Sequence, residues 1–154
     1  MKIYHSFSSE ETKKFGASVA RQLSINNFQF SKKKQQTALV LELKGDLGSG
    51  KTTFTQGFLR GLRVRGRVSS PTFVLIKHFT LHGSRFKNAY HIDCYRIKKA
   101  SELGSLGLKE ILADPKNIVL IEWPEKVKWY LSKNAFWVEF KYGRLVSERV
   151  IIFS

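Results

Sequence analysis

A short apolar run that ends in a glycine-rich loop constrains this chain more than any other feature. The stretch TALVLELKG combines leucine with β-branched residues and stops at a glycine, which predicts a buried strand over residues 37–43. Directly after it, Gly45, Gly48, Gly50, Lys51 and Thr52 match the spacing glycine, four residues, glycine, lysine, threonine. Phe54, Phe58 and Leu62 then recur at helical intervals and predict a helix over 51–62, with Arg60 on its outer side. Each residue type in the loop has a reason to be there. Glycine lets bare backbone N–H groups curl round an anion, and the following helix aims its positive end at the same point. A lysine can reach outer phosphates, and a threonine hydroxyl can join a magnesium shell. A glycine-rich turn with no ligand is the plainer reading, but strand, loop and helix in this order favour phosphate.

The rest of the chain supplies a frame for that unit. Ser8 and Glu11 form a capping-box pattern, and Phe15, Val19 and Leu23 predict an amphipathic helix over 8–25. NNFQFSKKKQQ reads as a polar surface connection. FVLIKHFTL and RFKNAYHIDCYR read as two strands of a hairpin joined by HGS, ASELGSLGLKEIL as a glycine-broken helical segment, and NIVLIEWPE as a buried strand closed by proline. FWVEFKY and ERVIIF predict a second hairpin at the C-terminal end. Strands outnumber helices in the second half, so the expected fold is a three-layer, P-loop NTPase-like α/β domain with a mixed, partly antiparallel sheet.

A phosphate loop that hydrolyses nucleotide needs a carboxylate for magnesium and a group that orients water. Glu122 closes the apolar run Ile118, Val119, Leu120, Ile121, the arrangement of a Walker-B acid, and Asp93 ends AYHID. A carboxylate at the end of a core strand needs a cation or donors to offset its burial, and magnesium is one such cation; a salt bridge or helix cap is the alternative. Trp123 beside Glu122 reads first as packing, and Arg96 either reaches a phosphate or snorkels to solvent. SSPT, residues 69–72, is a hydroxyl cluster equally explained by ordinary turn chemistry.

Composition narrows the function classes. At 154 residues and 42% hydrophobic, the chain is expected to form one domain. It contains no apolar run of about 18 residues or more, and MKIYHSFSSEE turns acidic before a signal-peptide core could form, so no membrane role and a cytoplasmic location are expected. Cys94 is the only cysteine, which excludes an internal disulfide and a cysteine metal cluster, and the four histidines lack metal-site spacing. The formal net charge of +15 favours acidic partners without naming one: Lys32, Lys33 and Lys34 suit a nucleic-acid surface or a merely solvated loop.

GDLGSGKTTFTQGFLRGL, SPTFVL, HIDCYRI, ELGSLGL and IEWPE, in that order and spacing, resemble the TsaE family, small bacterial ATPases of tRNA threonylcarbamoyladenosine biosynthesis, from about Gly45 to Glu125. The resemblance implies ATP and Mg2+ as ligands and slow hydrolysis. It also implies work alongside TsaD-like and TsaB-like partners rather than transfer of the threonylcarbamoyl group itself. Carried over by motif, it implies phosphate contacts at Leu47, Gly48, Ser49, Gly50, Lys51, Thr52 and Thr53, and magnesium at Thr52 and Glu122. It further implies catalytic roles for Asp93 and Lys51, nucleotide packing at Trp123, and an adenine contact near Ser9. The basic charge leaves direct tRNA contact open. Two rivals remain at this level: a small-molecule P-loop kinase, which needs an acceptor site and a lid, and a nucleotide-gated RNA-binding or assembly switch.

Overall fold

Alternation along the central strands decides the layering. In β2 (Leu39–Lys44), Leu39, Leu41 and Leu43 join one buried cluster and Val40 joins a second; in β5 (Asn117–Glu122), Ile118 and Leu120 go to the first while Val119 and Ile121 go to the second. Successive side chains on a strand point to opposite faces, so both faces of this sheet are core. The computed structural model describes residues 1–24, 36–66, 68, 75–99, 101–132 and 135–154. NNFQFSKKKQQ, with Lys32 to Lys34, lies almost wholly outside them, and SSPT lies wholly outside.

Helices α1 (Ser9–Ser24) and α2 (Lys51–Gly61) cover the first face, where Val19 and Leu23 meet Phe54 and Phe58, all buried. Burying each of these side chains contributes about 1.5–3 kcal/mol relative to exposure. The two helices lie close enough that a Cβ at Gly57 would run into the backbone of Lys13, so alanine there would force them apart. The second face is covered by α3 (Ser101–Gly104), α4 (Leu108–Ala113) and a 3-10 segment, Pro124–Tyr130, through Leu103, Leu108 and Val127.

Among the described residues the sheet has seven strands in the order β1-β7-β6-β2-β5-β4-β3, with β1 (Lys2–Ser6), β3 (Ile76–Thr80), β4 (Asn88–Asp93), β6 (Phe136–Tyr142) and β7 (Arg149–Phe153) completing it. The four inner strands β6, β2, β5 and β4 are parallel, while the β3–β4, β6–β7 and β1–β7 pairs are antiparallel. The sheet is therefore mixed, and the fold is the expected three-layer α/β arrangement. Both hairpins read from sequence are present. The glycine-broken segment divides at Gly107, which has a φ of 78°. One element escapes the sequence reading: β1 pairs with β7 across the whole chain and buries only one end, so nothing local marks it beyond the stacking of Tyr4 on Phe15 at 4.4 Å. No helix of the described residues is long and apolar enough to cross a membrane.

Candidate functional site

The glycine loop leaves β2 at the carboxyl ends of the parallel strands, where open α/β sheets place their ligand crevices. Gly45 (φ 135°) passes so close to β6 that a Cβ would strike the Phe140 carbonyl, and Gly50 (φ 106°) is the left-handed residue that turns the chain into α2. Any side chain at either position would change the loop. No acid occupies the first turn of α2, so its free N–H groups keep their positive character toward the crevice.

A crevice of about 380 Å³ opens over this loop, lined by Leu47, Gly48, Gly50, Lys51, Thr52, Thr53, Asp93, Tyr95, Arg96, Glu122 and Trp123. β4 and β5 bring the two acids together: Asp93 and Glu122 are register partners in the parallel ladder, and both are buried. The Thr52 hydroxyl donates toward both oxygens of Glu122, at 3.1 and 3.3 Å. Asp93 accepts from the Tyr95 backbone N–H at 3.0 Å.

Lys51 is buried, and its ammonium donates to the carbonyls of Gly45 and Asp46, both at 2.7 Å, while lying 4.5 Å over the Trp123 ring. Burial pulls its pKa below the ordinary lysine value, against the opposing pull of Glu122, Asp93, Asp46 and Glu125. Trp123 holds this place from a left-handed backbone, φ 60° and ψ 52°, immediately before Pro124. That conformation costs a non-glycine residue about 1–2 kcal/mol; strain of this kind collects at functional sites. Tyr95 packs on the same indole at 5.2 Å.

Of the residues named from sequence, Ser9 and Ser49 do not line the crevice. Ser9 opens α1, whose Thr12 packs behind Gly50, and the buried Ser49 hydroxyl points back toward Gly45. Cys94 is a core residue, its thiol pushed up to about 12 by burial and then by Asp93.

Besides Tyr95, three residues that the sequence reading passes over belong to this site. His91 is fully buried and its Nε2 donates to Glu122 Oε1 at 2.8 Å, while its Nδ1 has no hydrogen-bond partner among the described residues. Strand alternation contains the signal, because His91 stands two residues before Asp93 and so shares its face. Tyr142 and Arg149 come from the C-terminal hairpin, carried beside β2 by its pairing with β6. The Tyr142 hydroxyl donates to the Leu47 carbonyl at 2.6 Å, Arg149 reaches the Gly48 carbonyl at 3.4 Å, and the guanidinium lies 4.8 Å over the Tyr142 ring. Donors on these outer carbonyls hold the peptide planes of the loop in place. No local pattern announces that contact.

The donor set fits a nucleotide phosphate chain with Mg2+. The glycine backbone, the start of α2 and Lys51 suit phosphate oxygens, and a threonine hydroxyl beside a carboxylate supplies the hard oxygen donors that magnesium takes together with phosphate. No group of three or more His, Cys, Asp or Glu is arranged as a metal cage among the described residues; magnesium held between phosphates and one or two protein oxygens requires none.

Comparison with known proteins gives a consistent result. The family model described as "Threonylcarbamoyl adenosine biosynthesis protein TsaE" matches residues 6–151. A tRNA threonylcarbamoyladenosine biosynthesis protein TsaE from Haemophilus influenzae is 37% identical over 107 residues, 70% of this chain and 65% of its own length. Its Bacillus subtilis namesake is 39% identical over 102 residues, 66% of this chain and 61% of its own length. The matched region thus spans somewhat under two thirds of these two relatives; with the Rickettsia bellii protein the match is 35% over 140 residues, 87% of this chain and 82% of that one. The crystal structure of Bacillus subtilis YdiB superposes with a TM-score of 0.70 at 30% identity, covering 99% of this chain and 83% of that one.

Proposed function

The chain belongs to the TsaE family of threonylcarbamoyl adenosine biosynthesis proteins, and from that premise we propose that it binds ATP with Mg2+ and hydrolyses it slowly. In this reading it powers or resets the tRNA-modifying machinery rather than transferring the threonylcarbamoyl group, and it acts with TsaD-like and TsaB-like proteins. The observation that carries the proposal is the convergence of Lys51, Thr52, Glu122 and Asp93 on one crevice above a left-handed glycine turn.

Each residue has a task that follows from its surroundings. Backbone N–H groups of residues 48–52 and the start of α2 bind the phosphates, and Lys51 exchanges its carbonyl partners for phosphate oxygens. Thr52 and Glu122 would hold the metal, which would supply neutralisation of charge on the transferred phosphoryl group. His91 fixes the Glu122 carboxylate from behind. Asp93 faces the crevice from the neighbouring strand end, where it accepts a proton from, or orients, the attacking water. Trp123 forms an apolar wall beside the phosphates. The open crevice lacks a cover among the described residues, and efficient hydrolysis needs water excluded, so a partner that caps it should raise turnover.

A second reading, an assembly switch, draws on one feature. Without ligand, Lys51 bonds to its own loop and Thr52 to Glu122, so occupancy must replace four contacts and can thereby report nucleotide to a partner. The test is a calorimetric titration with ATP, with and without Mg2+, beside a phosphate-release assay with and without TsaD-like and TsaB-like partners. Absence of ATP binding overturns the proposal; binding without release, and assembly supported equally by a non-hydrolysable analogue, selects the switch.

A further inference from the structure

A second cleft lies at the opposite end of the sheet. α2 carries the chain away from the glycine loop, and β3 runs antiparallel to β4, so Thr80 pairs with Asn88 at the amino end of the parallel strands. There Arg63, Val64, Arg65, Phe79, His82 and their neighbours surround a cleft of about 750 Å³.

Its construction is specific. α2 ends in a Schellman motif: the Arg63 N–H bonds to the Arg60 carbonyl at 2.9 Å and the Val64 N–H to the Leu59 carbonyl at 3.0 Å. Val64 packs on the core next to Leu59, as the motif requires. The left-handed position of this motif usually belongs to glycine, but here it is Arg63, at φ 64°. An arginine in a strained glycine position is a feature that points to a role for the side chain. Its guanidinium lies beside Gly83 in the turn after β3, 3.9 Å from where a Cβ would stand.

The two arginines that line this cleft, Arg63 and Arg65, have no carboxylate paired to them among the described residues. Between Asp46 and Asp93 the sequence contains eight lysines and arginines and no carboxylate. The ion pairs among the described residues are elsewhere, and none includes Arg63, Arg65 or Arg85. Arg85, in the same turn as Gly83, stacks on Phe86 with its Nε buried and without an acceptor among the described residues. Arginine forks suit phosphate oxygens, and a half-buried aromatic in the same lining, Phe79, suits a ribose or base. A membrane surface would instead favour protruding apolar side chains over a concave wall.

We propose that this cleft binds an RNA phosphate backbone, with Arg63 and Arg65 holding neighbouring phosphates and Phe79 forming the apolar wall beneath them. The site is separate from the nucleotide crevice and does not depend on how that crevice works.

The test is fluorescence anisotropy with a labelled RNA stem-loop across a salt series, on wild type, Arg63→Gln/Arg65→Gln and Lys32→Gln/Lys33→Gln/Lys34→Gln. Wild type should bind with a Kd of about 10⁻⁴–10⁻⁶ M at physiological salt. The arginine variant should bind about tenfold more weakly, with a salt slope shallower by about 1.5, the loss of two phosphate contacts. Titrating the same preparations with ATP shows that the variant is folded and keeps a failure of this site apart from a failure of the nucleotide reading. No RNA binding by wild type, loss only in the lysine variant, or arginine-dependent binding to phosphatidylserine vesicles without RNA binding would each overturn the proposal.

Discussion

The two ends of the central sheet use cationic side chains to opposite effect. At the loop end, Lys51 lies among Glu122, Asp93, Asp46 and Glu125 and donates to two carbonyls, so its charge is already satisfied. At the other end, Arg63 and Arg65 line a cleft with no carboxylate paired to them among the described residues. A ligand entering the first site has to replace bonds the protein makes to itself, which rewards shape and a defined set of contacts. A ligand entering the second has little to displace beyond counterions, which rewards charge density and makes affinity salt-sensitive. A balanced site is thus built to discriminate, and an unbalanced one to attract.

That contrast fails if changes at the loop end disturb the far end, and the largest expected effect gives the strongest check. Asp93→Ala should reduce phosphate release about a thousandfold, the scale of a lost general base, with ATP affinity little changed. The assay is release under saturating ATP beside a calorimetric titration, and wild-type turnover in the variant would remove Asp93 from the mechanism. Lys51→Ala should weaken ATP binding about a hundredfold, because two charge-assisted contacts of about 1.5–3 kcal/mol each are lost, partly offset by the carbonyl bonds that no longer need breaking. RNA binding by this variant should keep its wild-type affinity and salt slope; a parallel loss would mean that one site serves both ligands.

Glu122→Gln sharpens the comparison within the loop end itself. The amide keeps the shape and can still accept from Thr52, but removes the charge that Mg2+ requires. We expect about a tenfold loss of ATP affinity with Mg2+ and little change without it. Equal effects in both conditions would make Glu122 a structural partner of His91 and Thr52.

Legibility from sequence followed the distance over which each feature is made. The strand, the glycine turn and α2 are contiguous, and their periodicities and spacing announce them locally. The positions of Glu122 and Asp93 at strand ends were legible because Glu122 closes an apolar run and Asp93 closes the alternating AYHID. β1 was not: its partner β7 stands at the other end of the chain, and a short edge strand exposes most of its side chains. His91 was legible in principle through alternation, but a histidine in a strand does not disclose that a carboxylate from the next strand will meet it. Arg63 was hidden for a different reason. A Schellman motif is normally read from glycine, and the residue here gives no such signal.

The smallest predicted effect tests whether the loop is held from outside. Tyr142 is half exposed, at 53%, yet its hydroxyl makes a 2.6 Å bond to the Leu47 carbonyl. Because the β6–β7 hairpin otherwise touches the loop through the long Arg149 contact to Gly48 and the close pass of Phe140 at Gly45, this bond is the firmest polar tie between them. Tyr142→Phe keeps the ring under the Arg149 guanidinium and removes only the donor. One neutral hydrogen bond contributes about 0.5–1.5 kcal/mol, so ATP affinity should fall about two- to tenfold. Since the loss concerns phosphate-binding peptides and not the metal, the ratio of affinities with and without Mg2+ should stay at the wild-type value, unlike that of Glu122→Gln. An unchanged affinity would mean that the glycine loop sets its own shape, and that the hairpin merely lies against it.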